Sequence, residues 1–338
     1  MAATVLFEIK KKQRVTTTKK SPFPLIFHLG SEEKQSIVTW QFYRGTLKPD
    51  GVEISTPEEM KNLYYMGYFG KGTLSRSAPE KGAANSSLPP KMSSRRYERH
   101  CRLASEKEVE IKEAPRTVLV KQDGCAEPSH KGADDSGIHE DSYYLTEDPY
   151  PIDEHLQLFF EEAFFLSFGL GCLIVGENGK DLELLELWQR LCTLCPDFPA
   201  RYTVYHHFRT KGWVVRTGSK YGTDFLLYKD GPPFYHATFS VLVRSARGVE
   251  LHEVEDCRFR SWMSLGGLTR LNFNATKTVL LCYVIIPLDV DLSTPECVRN
   301  LLVQETLVRR WVLAEEGEKV RQAQMGQKAQ KASTATGS

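Results

Sequence analysis

The chain has 338 residues, 41% of them hydrophobic, enough for two domains and a sizeable core. Its 44 Lys and Arg against 43 Asp and Glu leave a net charge of +1, which excludes polyanion binding by the whole surface, so any nucleic-acid site is a local patch. No run approaches the ~20 apolar residues of a membrane span, the opening MAATVLFEIK is too short for a secretory signal, and eight scattered cysteines predict reduced thiols in a cytosolic or nuclear protein.

Near the start, Lys10-Lys11-Lys12-Gln13-Arg14 reads either as a nuclear-import patch or as a solvated basic arm. On the first reading the expected location is the nucleus. Residues 22–77 read as a small α/β region. Ser36-Ile-Val-Thr-Trp-Gln-Phe-Tyr43 alternates like a strand, and Val52-Glu-Ile54 predicts a second. Thr56-Pro57-Glu58-Glu59 opens a helix, because Thr caps, Pro suits the first turn and acids suit its positive end. Gly67 closes it. Gly67, Gly70 and Gly72 resemble a phosphate loop only loosely, since no Gly-Lys-Ser/Thr follows a strand.

Residues 78–148 are rich in Ser, Gly, Pro, Glu and Lys and poor in apolar residues. They predict a mobile low-complexity linker with a short ordered segment near Thr117-Val-Leu-Val120. Residues 149–314 are the dense part. Asp153 is expected to cap a helix with Leu156, Phe159, Phe160, Ala163, Phe164 and Leu166 on its apolar face. A helix over 181–195 and another over 201–211 follow. Then the period changes: Trp213-Val-Val215, 224–228, 238–243 and 279–286 read as strands. Trp262, Leu265, Leu268 and Leu271 suggest a helix between the last two. Ser293-Thr-Pro-Glu296 opens another, and a strand over 303–312 closes the sheet. The polar residues 315–338 are expected to be disordered. The fold class is therefore α/β (α+β), with helices packed on a mixed sheet in the C-terminal part.

Metal chemistry finds little support. Cys192-x2-Cys195 has two-ligand spacing and His206-His207 follow, but a second Cys pair and a His-x3–5-His are missing. Asp224 is a candidate Mg²⁺ ligand, yet the next strand, ATFSVLV, lacks the expected Glu-x-Lys. No Gly-x-Ser-x-Gly elbow is present. What remains is YKDGPPFYH, a turn bracketed by Tyr228 and His236, and Lys277 where a polar segment enters TVLLCYVII. Histidine is the natural acid–base at neutral pH. Tyrosine is a poor base unless a neighbouring ammonium lowers its pKa. Base, acid and cation suffice for metal-free RNA cleavage. The base takes the 2′-hydroxyl proton, the oxygen attacks phosphorus, and the acid protonates the departing 5′-oxygen. The products are a 2′,3′-cyclic phosphate and a 5′-hydroxyl, and DNA, lacking the hydroxyl, is no substrate. Tyr221, Tyr228 and Tyr235 are all available as the base on spacing alone.

Residues 205–241, 268–283 (LTRLNFNATKTVLLCY) and 303–312 (VQETLVRRWV) resemble the tRNA-intron endonuclease family. The likeness is to the catalytic subunit of the eukaryotic tRNA-splicing endonuclease that cuts the 5′ splice site. NLYYMGYFGKGTLSRS (62–77) is similar to the N-terminal motif of that subunit. The resemblance implies a restriction-endonuclease-like mixed sheet. It implies Tyr228 as base, His236 as acid and Lys277 as transition-state cation, with no metal or cofactor. It also implies that Arg270 and Trp311 clamp an unstacked intron base by cation–π stacking. The implied partners are intron-containing precursor tRNA, a second catalytic subunit, two structural subunits and an RNA 5′-kinase, with no membrane. The competing readings are a non-catalytic scaffold of the same fold and a Mg²⁺-dependent DNA nuclease.

Overall fold

The computed structural model describes residues 9–12, 23–29, 36–73, 91–106, 116–121, 143–149, 154–248, 252–253 and 261–308. In chain order these carry β1 (Leu25–Leu29), β2 (Ser36–Trp40), β3 (Tyr43–Lys48), β4 (Gly51–Ile54), α1 (Pro57–Tyr65), β5 (Lys71–Gly72), β6 (Lys91–Met92), α2 (Ser94–Glu106), β7 (Arg116–Lys121) and β8 (Tyr143–Asp148). Then come β9 (Leu156–Leu158), α3 (Phe160–Phe164), β10 (Leu173–Glu177), β11 (Lys180–Asp181), α4 (Leu184–Leu194) and α5 (Phe198–Thr210). The last run is β12 (Val214–Thr217), β13 (Phe225–Tyr228), β14 (Phe239–Arg247), β15 (His252–Glu253), α6 (Trp262–Asn274), β16 (Thr278–Ile286) and β17 (Leu302–Val308). The class is mixed α/β, as the composition of elements in the sequence predicts.

Two compact units divide the chain. One comprises Met1–Ile54, Lys61–Gly70 and Leu158–Ser338, and the other Ser55–Met60 and Lys71–Gln157. In the first unit β11, β10, β3 and β4 lie side by side, with β10 parallel to β3. The same unit holds the sheet β12–β13–β14–β16–β17, with β15 on β14. Its ladders are antiparallel except for β14 with β16. A parallel pair needs a long crossover, and α6 lies within it. β14 and β16 read as continuous apolar runs because both faces are covered. Leu268 of α6 joins Leu242, Val279 and Leu281 in one buried cluster.

Around α3 the core is aromatic. The Phe164 ring lies 5.0 Å from Trp188, 5.8 Å from Phe198 and 4.8 Å from Tyr202. Burying such a side chain stabilises by roughly 1.5–3 kcal/mol, and edge-to-face pairing adds about 0.5–1.5 kcal/mol.

Three expectations need revision. The helix expected from Asp153 starts later, since Leu156–Leu158 is a strand and α3 begins at Phe160. Asp153 lies outside the described residues. The first turn is capped from within, as the Phe159 N–H donates to Glu162 Oε2 at 3.1 Å. On α6 only Leu268 and, partly, Leu265 face inward, while Trp262 and Leu271 are exposed. The buried stripe is instead completed by Thr269 and Asn272. The helix expected after Ser293 is a single 3-10 turn, Pro295–Arg299. β17 is described to Val308, and residues 309–338 lie outside the described residues.

In the second unit, β6, β7 and β8 form a three-stranded sheet and α2 packs beside it. Thus the stretch read as a linker contains regular structure. Val118 and Val120 are buried at alternate positions of β7. His100 Nδ1 lies 2.8 Å from Asp148 Oδ1, and Tyr97 Oη lies 3.2 Å from Thr146 Oγ1, so α2 is tied to β8.

Candidate active site

The site is built from the ends of β13, β14 and β16. Their register aligns Leu227 with Phe239, and Phe239 with Thr278. Two main-chain bonds extend that row: Thr238 N–H to Leu227 O at 2.9 Å, and Thr278 N–H to Thr238 O at 3.1 Å. Tyr228 follows Leu227, His236 stands two residues before Thr238, and Lys277 precedes Thr278. The three residues therefore come together at one end of three neighbouring strands. Tyr228 and Lys277 are half-buried and His236 is exposed.

The loop between β13 and β14 is held by Gly231. Its φ of +116° is a conformation that side-chain-bearing residues rarely adopt. The N–H groups of Phe234 and Tyr235 both donate to the Gly231 carbonyl at 3.2 Å. Phe234 is buried and meets the Tyr68 ring edge-on at 6.3 Å.

Lys277 emerges from the C-terminus of α6 through a Schellman motif. The Thr276 N–H donates to Phe273 O, and the Lys277 N–H to Asn272 O, both at 2.9 Å. Thr276 occupies the left-handed position with φ +56°, normally a glycine position and a strained one for a β-branched residue. The Lys277 ammonium donates to Ala275 O at 2.9 Å and stands 4.3 Å from the centroid of the Tyr221 ring. Asn272 is fully buried, and its Nδ2 donates to Tyr221 O at 3.2 Å. It thus links the turn bearing Tyr221 to the strand entry bearing Lys277.

Burial pushes the Tyr228 phenol above its ordinary value, and the guanidinium of Arg216 is the main opposing influence. The expected role of an ammonium thus belongs to a guanidinium on β12. Arg216 donates to Tyr68 O at 2.7 Å and lies 3.7 Å from Glu162 Oε1. Burial raises the Glu162 carboxyl as well, against Arg216 and the N–H groups of Phe159 and Gly70. Spacing arguments miss Arg216 and Asn272, and they offer Tyr221 only as an alternative base. For Arg216 the available signal is one cation inside the strand-like GWVVRTG.

The remaining candidates have other duties. Asp224 accepts from Arg201 Nη1 at 2.5 Å and from the Val243 N–H at 2.8 Å, while Arg201 Nε donates to Glu161 at 2.6 Å. That is a buried ion-pair network. Burial raises the Cys192 thiol to about 11, so it is not a thiolate at neutral pH, and it raises Cys195 in the same direction. His206 packs against the rings of Phe165 and Tyr202, and His207 pairs with Glu305 at 2.7 Å. Among the described residues no group of three or more His, Cys, Asp or Glu is arranged to hold a metal ion. Arg270 is exposed on α6, the helix that leads into Lys277. Trp311 lies outside the described residues.

Comparison with known proteins adds sequence evidence. Residues 198–290 match the family model of the tRNA intron endonuclease catalytic C-terminal domain. The chain is 40% identical over 230 residues to tRNA-splicing endonuclease subunit Sen2 of Gallus gallus, covering 64% of this chain and 47% of that protein. It is 45% identical over 171 residues to the Mus musculus Sen2 subunit, covering 50% of this chain and 37% of that protein. It is 33% identical over 266 residues to the SEN2 subunit of Eremothecium gossypii, covering 67% of this chain and 70% of that protein. The chain spans about half the length, or less, of the vertebrate relatives it matches.

Proposed function

Because the chain belongs to the family of Sen2 tRNA-splicing endonuclease subunits, we propose that it is a catalytic subunit that cuts intron-containing precursor tRNA at the 5′ splice site. In this reading it acts without a metal ion, within an assembly of a second catalytic subunit and two structural subunits, associated with an RNA 5′-kinase in the nucleus. The observation that carries the reading is the register of β13, β14 and β16, which gathers Tyr228, His236 and Lys277 at one strand end.

Tyr228 acts as general base on the 2′-hydroxyl of the nucleotide before the cut. The 2′-oxygen bonds to the adjacent phosphorus as the bond from phosphorus to the 5′-oxygen breaks. His236, protonated, gives its proton to that 5′-oxygen. Lys277 stabilises the extra negative charge on the non-bridging oxygens in the transition state. A 2′,3′-cyclic phosphate and a 5′-hydroxyl result. Arg216 beside Tyr228 offsets part of the burial that disfavours the phenolate. Arg270 and Trp311 supply the clamp on an unstacked intron base.

The test is reconstitution of the four-subunit enzyme and cleavage of precursor tRNA in EDTA, with analysis of the product ends. Cyclic phosphate at the 5′ site is expected, and it is lost on His236→Ala. A His236→Ala enzyme that still cuts both sites at the normal rate overturns the assignment.

A further inference from the structure

Ile9–Lys12 lies extended along the loop that carries His236. Lys11 and Tyr235 form an antiparallel bridge. The Lys12 N–H donates to Phe234 O at 2.8 Å, and the His236 N–H donates to Lys10 O at 3.1 Å. These two bonds flank the Lys11–Tyr235 pair, which is the pattern of a non-hydrogen-bonded pair in an antiparallel ladder. The register therefore sets Lys10 opposite His236 and Lys12 opposite Phe234.

Residues opposite one another in such a ladder project to the same face, with Cβ atoms about 4.5–5.5 Å apart. Lys10 thus shares a face with the His236 imidazole, and Lys11 shares the other face with Tyr235. Lys10 and Lys11 are exposed. The Lys229 ammonium stands 5.7 Å from the Tyr235 ring centroid. A chain whose net charge is only +1 therefore sets four lysines, against the carboxylate of Asp230, around one turn.

Main-chain pairing does not explain that choice of residue, because any non-proline residue would make the same bonds. Like charges this close repel one another. A phosphodiester backbone would neutralise them, and it must pass this turn for its 5′-oxygen to meet His236. We propose that Lys10–Lys12 form a phosphate-binding strand of the cleavage site: Lys10, on the His236 face, seats the phosphate at the cut, the neighbouring lysines meet the flanking RNA backbone, and the main chain holds His236. The ligand follows from the nuclease reading, so the test separates binding from cutting.

The probe is precursor tRNA with a single 2′-deoxynucleotide at the 5′ cut, which cannot undergo the transesterification. It is titrated against the reconstituted endonuclease carrying Lys10→Gln, Lys11→Gln and Lys12→Gln together. Glutamine keeps the main-chain bonds and removes the charge. The expected result is a Kd raised about fivefold or more. The slope of log K against log salt becomes shallower by about 2, since each single-strand phosphate contact releases ~0.7 counterion. On cleavable RNA, KM rises and kcat stays within twofold. The triple arginine variant restores both Kd and slope. An unchanged Kd and slope overturns the proposal. So does a glutamine variant that fails to assemble, which would assign the lysines to an acidic partner subunit. A wild-type enzyme that shows the salt effect without cutting would sustain the strand and fault the catalytic reading alone.

Discussion

The Lys277 ammonium rests 4.3 Å from the centroid of the Tyr221 ring and donates a 2.9 Å hydrogen bond to Ala275 O. A four-carbon side chain would otherwise sample many rotamers at this strand entry. The aromatic face narrows them by an attraction of about 0.5–2 kcal/mol. In the proposed reaction Tyr221 is therefore a positioning residue. Tyr221→Leu should lower single-turnover cleavage roughly 2–30-fold with little change in KM, by the usual conversion of that energy to rate. Tyr221→Phe keeps the ring and should cleave near the wild-type rate. A leucine variant as fast as wild type would show that Lys277 needs no seat.

Tyr228 sits between two opposed influences, burial that raises its pKa and Arg216 that lowers it, and burial is the larger. A phenol held above its ordinary value of about 10 is neutral at pH 7. Its phenolate fraction grows tenfold per pH unit through pH 7–9; because the reaction also needs His236 protonated, that rise should show in the rate with a substrate whose leaving group needs no acid, such as a 5′-thiolate. Arg216→Met removes the opposing charge, pushes the phenol higher still and should lower the rate throughout that range. Arg216→Lys should recover part of it. Stability follows the same sign. Because the folded-state pKa is raised, the contribution is complete below about pH 10 and is lost as pH rises through the folded value. Burial also raises Tyr202 and Tyr205, so unfolding followed by circular dichroism should set in above about pH 10.

Much of the C-terminal part is legible in the sequence because its strands are buried on both faces. TVLLCYVII and ATFSVLV are apolar runs too short and too β-branched to be helices. The run from Leu156 to Phe160 misleads for the same reason, since continuous apolar residues suit a buried strand and a buried helix alike. Residues 78–148 hide their sheet because few apolar positions carry it, Val118 and Val120 among them. Spacing could not choose among Tyr221, Tyr228 and Tyr235, and the structure explains the difficulty. Tyr221 lies under Lys277, Tyr228 ends β13, and Tyr235 pairs with Lys11. All three border one site. The pairing of Lys11 with Tyr235 spans most of the chain, and no local pattern reports a contact that distant.

Asp224 separates a structural carboxylate from a metal ligand. Its two oxygens are taken by Arg201 and by the Val243 N–H. Removing Asp224 leaves Arg201 paired with Glu161 but breaks one charge-assisted bond and strands the buried Val243 N–H, at a cost of about 1–3 kcal/mol. Asp224→Ala should therefore lower the denaturant midpoint sharply. Cleavage per folded molecule, measured where the variant remains native, should stay within a few-fold of wild type. A variant of normal stability that cannot cut, or that cuts only with added Mg²⁺, would instead identify Asp224 as part of a metal site.

Gly231 tests whether the turn itself holds the catalytic ends together. A Cβ there would lie 2.9 Å from the Tyr68 ring, and φ is +116°. Gly231→Ala thus meets both a collision and a backbone conformation that alanine resists, together worth about 2 kcal/mol or more. The loop can relieve them only by moving the segment that carries His236, with Tyr228 at its other end. The variant should melt several degrees lower and should lose more than tenfold in kcat, beyond its loss of folded protein. Pro233→Ala is the matched control. It softens the same loop, adds no atom that could collide, and should cost only about 0.4–1 kcal/mol. If Gly231→Ala is no worse than Pro233→Ala in kcat, then strand register alone aligns Tyr228 with His236, and the turn is only a connection.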